Sequence, residues 1–523
     1  ARPAAARGGA LDRLRTRAEA TGYEETSRYA DVVAFLEAVD RASDRAHLTH
    51  FGYSSEGRAL PLLVLGDVAD ASPEAVRAAG KLRVYLQGDI HAGEVCGKEA
   101  LLALARDLAR GEHPEWTRSA VILFAPIYNP DGNERLDVAG RAGQLGPYGG
   151  VGQRLNARGF DLNRDHVKLD TPEARGLARL YREYDPHVAV DFHTTDGTYV
   201  AYYLTYSPPL HPNTDAGLVD LLRGDLLPTV TGRIAAARGW HCYYYGNLPP
   251  PYAGNLNWGD ELGEDFGWYT FDYRPRYSNN YAGLRNRFGI LSEAYAYATF
   301  EERILVSRYF AEEILQFCSD HAARMQAVAA AADAAPLAGT ELSLRATHVR
   351  SPEKVTILMG QVAPEPNPYT GGRFLRRQDV AVPVEVYEYG TFAPTETARA
   401  PQAYCLPDSL AAAIDLLQAH GVRYRVLAAD SVVVAERFRI DSTRVAEAPY
   451  EGHRERTLFG ACETAHVTLA AGSLLVPVDQ PLGRLAFALL EPRSDDGVTA
   501  WGLIDRSLDG ALYYPILRLP QGP

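Results

Sequence analysis

The run Gly88-Asp89-Ile90-His91-Ala92-Gly93-Glu94 sets an imidazole and a carboxylate two residues apart. Those groups are the nitrogen and oxygen donors that a zinc ion accepts, and a more distant third ligand would leave one position open for water. His-x-x-Glu alone is a weak signal, because the spacing arises often by chance and suits a surface loop equally well. His193, at the end of Val188-Ala189-Val190-Asp191-Phe192-His193, is the candidate third ligand. An isolated His on a buried strand is more often a satisfied core residue than a ligand. Asp191 shares a strand face with His193 and would either orient it or accept buried hydrogen bonds. Glu293 ends the apolar run Ile290-Leu291-Ser292, where an unpaired buried carboxylate is costly. Either a cation pairs with it or it faces an attacking water, and partial burial would raise its pKa toward neutrality for proton transfer.

The elements that must position these groups follow from periodicity. Leu82–Leu86 reads as a strand, and Leu101, Leu102, Leu104 and Leu108 mark a helix after the His91 turn. His91 and Glu94 therefore sit at the carboxyl end of a strand, where open α/β sheets place their sites. Further strands are predicted at 48–53, 59–65, 120–127, 188–193 and 288–293, with helices over 31–42, 171–184 and about 301–332. The alternation implies a mixed, largely parallel α/β sheet covered by helices on both faces. If His193 lies in the sheet that feeds His91, both face one crevice. Residues 241–287 crowd Tyr, Trp, Asn, Gly and Pro, a long loop region expected to form a pocket wall. After Pro336 the pattern changes to alternating strands, including 380–389 and 432–440, with a helix at 409–420 and a second after Pro481. The expected domains are 1–336, catalytic, and 337–523, a β-rich accessory domain of unknown role with one or two helices.

In order, His91-Ala-Gly-Glu94, Asn129-Pro-Asp-Gly132, Asp161-Leu-Asn163-Arg164, Asp191-Phe-His193 and Glu293 resemble the zinc carboxypeptidases of the carboxypeptidase A type, over roughly residues 20–330. The resemblance implies a fold with helices on both faces of an α/β sheet and one Zn2+ held by His91, Glu94 and His193. It makes Asp161 the carboxylate that holds His91, Glu293 the general base, and Asn163 with Arg164 the grip on a substrate's terminal carboxylate. Arg154 would match the Arg that stabilises the oxyanion. Tyr269, Tyr273, Tyr277 and Tyr281 all fall in the interval of the family's mobile Tyr, with Tyr281 the leading counterpart. Arg285 and Arg287 could reinforce the clamp or pair with other acids; Arg285 is carried as a candidate substrate contact. The tail is larger than the small β-domain that follows some members, and its helix does not match.

Composition bounds the partners. The 523 residues carry a formal charge of −13, against the basic face that a nucleic-acid partner requires. No apolar run approaches the length needed to span a bilayer. Five cysteines, at 96, 242, 318, 405 and 462, contain no Cys-x-x-Cys pair and suggest buried small hydrophobes in place of a disulfide framework. The chain starts Ala1-Arg2-Pro3 without an initiator Met, which a cleaved secretory signal or simple trimming would explain. A periplasmic or secreted location is the expectation. The expected substrate is a peptide or acyl-amino acid with a free carboxylate, cleaved at its last amide bond. The alternatives are a deacylase or peptidoglycan-stem peptidase on the same site, or a non-catalytic binding module. Oligomeric state has no signature in the sequence.

Overall fold

Strand and helix alternate along the first part of the chain and assemble into one eight-stranded sheet in the computed structural model, which describes residues 9–141, 143–195, 197–249 and 266–520. Its strands in sequence are β1 (Ala46–Tyr53), β2 (Ala59–Leu65), β3 (Leu82–Gly88), β4 (Ala120–Ala125), β5 (Val188–Thr195), β6 (Leu204–Ser207) and β7 (Cys242–Tyr244), joined after the separate strand β8 (Gly267–Tyr269) by β9 (Phe288–Tyr295). The spatial order is β1-β2-β4-β3-β5-β9-β6-β7. The four central strands, β4, β3, β5 and β9, run parallel. Antiparallel β1–β2 and β2–β4 pairs flank them on one side and β6 on the other.

Successive residues of the central strands alternate between two cores, as a period of two demands. Val84, Leu86, Ile122, Phe124, Val188 and Val190 point to one face. Helices α1 (Tyr29–Ala42), α2 (Cys96–Ala109) and α5 (Phe300–Ala334) supply side chains to that core. Tyr85, Val121, Leu123 and Ala189 point to the other face, with Leu177 and Tyr181 of α3 (Pro172–Tyr184) and Tyr281 of α4 (Ser278–Leu284). A Cβ at Gly97 would lie 2.4 Å from the Phe192 Cβ, so glycine there lets the first turn of α2 close onto β5. Thr299 and Glu302 form a capping box that starts α5, and His321 interrupts its helical backbone.

The expected helix at 409–420 runs Ala411–His420 (α6), ended by Gly421 at φ 84°, and the second runs Gly483–Leu490 (α7). The remaining strands are mainly antiparallel; six of them make a second sheet whose longest members, Ser431–Val445 and Arg456–Leu469, form one hairpin. The expected division at 336 falls just past α5, but the packing continues across it. Leu416, Leu417, Leu485 and Phe487 belong to the same core as Tyr181, Tyr281 and Leu284. In addition, β8 pairs in parallel with Val382–Tyr389. A Cβ at Gly267 would meet the Tyr389 ring at 2.6 Å. The C-terminal part thus covers one face of the first sheet. Among the described residues, no helix is long and apolar enough to cross a membrane.

Candidate active site

The carboxyl ends of β3, β5 and β9 are neighbours in the sheet, and each delivers part of the site. β3 ends at Gly88; Asp89 takes a left-handed φ of 63°, and the Glu94 N–H donates to the His91 carbonyl at 2.8 Å, closing the turn that carries both candidate ligands. His193 and Glu293 are register partners on adjacent parallel strands. One donor atom from each of His91, Glu94 and His193 lies within 4.8 Å of the others, and all three residues are buried.

Each imidazole has its two nitrogens assigned by its neighbours. His91 Nε2 lies 3.0 Å from Asp161 Oδ1 while Nδ1 faces Glu94 Oε1 at 3.1 Å. His193 Nε2 lies 2.9 Å from Asp191 Oδ2 while Nδ1 faces Glu94 Oε2 at 2.9 Å. A neutral ring with its proton on Nε2, donated to a carboxylate, turns the Nδ1 lone pair toward the common centre, the arrangement by which outer carboxylates orient metal-binding histidines. The donor set of two imidazoles and one carboxylate fits zinc. A second observation agrees: Glu293 Oε2 is buried and has no hydrogen-bond partner among the described residues.

Burial would raise the Glu94 carboxyl, but the charges of His91 and Arg141 outweigh it and hold the group well below its usual range. The same contest, won by His91, Arg164 and Arg154, holds Asp161 well below its own. Burial would lower His193, yet Asp191 and Glu94 push it well above the ordinary value. Glu293 goes the other way: burial pushes it up to about 8, with Glu94 adding to the rise and His193 and Arg141 opposing it.

These groups open into a cavity of about 190 Å³. Arg154, Asn163 and Arg164 line it, as the sequence leads one to expect. Arg154 binds Asp161 Oδ2 through Nε and Nη2 at 3.1 and 2.8 Å and approaches Glu94 to 3.7 Å. Asn163 Oδ1 accepts from the Ser278 N–H at 2.9 Å. The Arg164 guanidinium lies 4.1 Å from the centre of the Tyr277 ring. The aromatic stretch contributes Tyr245, Phe271 and Tyr277 to the wall; its 250–265 portion lies outside the described residues. Arg141 also lines the cavity, with Nη2 2.5 Å from Glu94 Oε1. Sequence reasoning missed it, since it sits in a Gly-rich loop with no motif around it.

Tyr281 and Arg285 are not brought to this cavity, which corrects their expected place at the substrate. Helix α4 begins at Ser278, so Tyr277 lies on extended backbone just before it, facing the cavity. Tyr281, on the helix, is turned into the core beneath. Its ring packs edge-on to Tyr181, and its hydroxyl pairs with His420 Nδ1 at 2.9 Å and accepts from Arg285 at 3.0 Å. Arg285 also donates to the His420 carbonyl at 3.1 Å. Arg287 is bound to Asp185 and Asp333.

Residues 32–208 match the model of a family described as zinc carboxypeptidase. Over that stretch the chain is similar to the zinc carboxypeptidase family. It is thus a metal-dependent hydrolase. Similar proteins include Carboxypeptidase 2 of Trichophyton rubrum, 26% identical over 523 aligned residues that cover 95% of this chain and 87% of that one. Carboxypeptidase D of Mus musculus is 33% identical over 196 residues, which cover 32% of this chain and 14% of that one. Among solved structures, carboxypeptidase A from Helicoverpa armigera aligns at 17% identity with a TM-score of 0.42, covering 62% of this chain and 78% of that chain. The fungal match extends through the β-rich C-terminal part.

Proposed function

We propose that this chain is a zinc carboxypeptidase that removes the last residue of a peptide bearing a free carboxylate. The observation that carries the reading is the pairing, on neighbouring strand ends, of the His91–Glu94–His193 donor set with the unbonded buried oxygen of Glu293. His91, Glu94 and His193 hold one zinc ion. When bound, zinc acidifies the attacking water and polarises the scissile carbonyl.

Glu293 accepts the proton from the water that attacks and delivers it to the leaving amine as the C–N bond breaks, so hydroxyl goes to the acyl carbon and hydrogen to the new amino group. Burial raises its proton affinity above that of an ordinary carboxylate, which favours taking the water's proton. Arg154 donates to the oxyanion as the carbonyl becomes tetrahedral; removing such a donor typically costs a hundredfold or more in turnover. Asn163 and Arg164 receive the terminal carboxylate, for which a guanidinium is the matched donor. Asp161 and Asp191 keep the two imidazoles in the binding tautomer.

The test pairs metal analysis with hydrolysis of blocked dipeptides in free-acid and C-terminally amidated forms. Wild-type protein binds one zinc and cleaves only the free acids. Glu293→Gln keeps the zinc and loses at least about a hundredfold in kcat, the usual worth of a general base. His193→Ala loses zinc and activity together. A Glu293→Gln protein that still turns over at the wild-type rate would overturn the mechanism, and equal cleavage of amidated peptides would overturn the carboxylate grip.

A further inference from the structure

The long C-terminal hairpin reaches back to the cavity. Its tip, Tyr450-Glu451-Gly452-His453, is closed by reciprocal backbone bonds between Tyr450 and His453 at 2.7 and 3.0 Å, with Glu451 and Gly452 both at positive φ, 47° and 79°. That is the two-residue turn whose twist suits a hairpin. The tip is anchored, not adrift. Glu451 Oε2 accepts from the Asp161 N–H at 3.0 Å, His453 Nε2 pairs with Asp170 Oδ2 at 2.7 Å, and Trp501 stacks on the Tyr450 ring. Gly452 lies against Phe160, whose ring would be 3.1 Å from an added Cβ.

Tyr450 is nonetheless 40% exposed, and its hydroxyl accepts from Arg164 Nε at 3.1 Å. Arg164 Nη1 donates to the Asn163 carbonyl at 2.8 Å, so two of its three nitrogens are fixed, and Nη2 makes no bond among the described residues. A guanidinium held at two corners presents the third in one direction, which lowers the entropy lost when a ligand binds it. Nothing in the family motifs reaches position 450, which is 286 residues along the chain from Arg164.

We propose that Tyr450 is a positioning residue of the substrate site: it fixes the Arg164 guanidinium that receives the terminal carboxylate, so the C-terminal hairpin completes the catalytic pocket. This rests on the carboxylate grip assigned to Arg164 above. The hydroxyl contributes to substrate capture and not to the bond-breaking step.

The experiment is a double-mutant cycle on the full chain with zinc bound, using the best free-acid blocked dipeptide from a panel with apolar, acidic and basic last residues. Tyr450→Phe should raise KM about fivefold, the worth of one net hydrogen bond, with kcat changed less than twofold and Tm unchanged. In an Arg164→Ala background, the same substitution should change KM by less than about 1.5-fold, since the two residues act as one unit. An unchanged KM for Tyr450→Phe, or an equal KM increase in both backgrounds, would overturn the proposal. An Arg164→Ala protein with wild-type KM would instead overturn the carboxylate grip itself, a different failure seen in a different variant.

Discussion

At the scale of single residues, the proposed metal site leans on carboxylates outside the donor set. Asp161 serves two cations at once: Oδ1 fixes the His91 tautomer, and Oδ2 holds Arg154. Asp161→Asn should therefore weaken zinc binding about 10- to 100-fold, the usual cost of losing an outer partner, measured by competition with a chelator. Zinc affinity equal to wild type would mean that the His91 ring is oriented by packing alone. The convergence of His91, Glu94 and His193 was legible in the sequence because each sits at or just past the end of a central strand. Tyr281 was not, since a tyrosine every four residues from 269 to 281 gives no hint of where α4 starts. One helical boundary decides that Tyr277 faces the cavity and Tyr281 the core. Arg141 had no local pattern at all; only the closeness of its loop to Glu94 marks it.

At the scale of elements, the segment from Asp272 to Ser278 shapes the cavity wall and is gripped from the C-terminal part. Arg276, almost fully buried, bonds Asp496 and Glu455, and its guanidinium lies over Trp501. The Tyr273 hydroxyl donates to Asp495. Burial pushes the Asp495 carboxyl up to about 6, with Tyr273 and Arg274 opposing and Asp496 adding to the rise. The folded chain then holds a proton that the unfolded chain releases near pH 3.8, so stability falls as pH rises from about 4 to about 6. Asp495→Asn, neutral at every pH, should flatten that decline by about 3 kcal/mol at 1.4 kcal/mol per pKa unit, read from urea unfolding at several pH values. A decline as steep as wild type would assign it to another group. Strands and helices of this region were predictable from alternation and caps, as at Gly421. Their docking was not, because long-range pairing such as β8 with Val382–Tyr389 depends on register that no local pattern encodes.

At the scale of the whole molecule, the β-rich part is a structural half of one core. Tyr404, Leu416, Leu485 and Phe487 pack with the second face of the catalytic sheet. Cutting the chain after residue 336 would expose Tyr281, Leu284, Leu177 and Tyr181 to water. At about 2 kcal/mol for each large apolar side chain uncovered, the loss rivals the total stability of an ordinary domain. A 1–336 fragment should therefore be insoluble or lack a cooperative thermal transition, whereas a fragment that melts cooperatively near the full-length Tm would show the halves to be independent. Composition marks a change of texture near 336, yet composition carries no information on which surfaces meet.

The anchored tip at 450–453 also has a consequence in time. A ribosome must extrude the greater part of this polypeptide before the rim around Arg164 can close, since Tyr450 and Trp501 both come late. That rim is therefore among the last parts of the cavity to form as the chain is made.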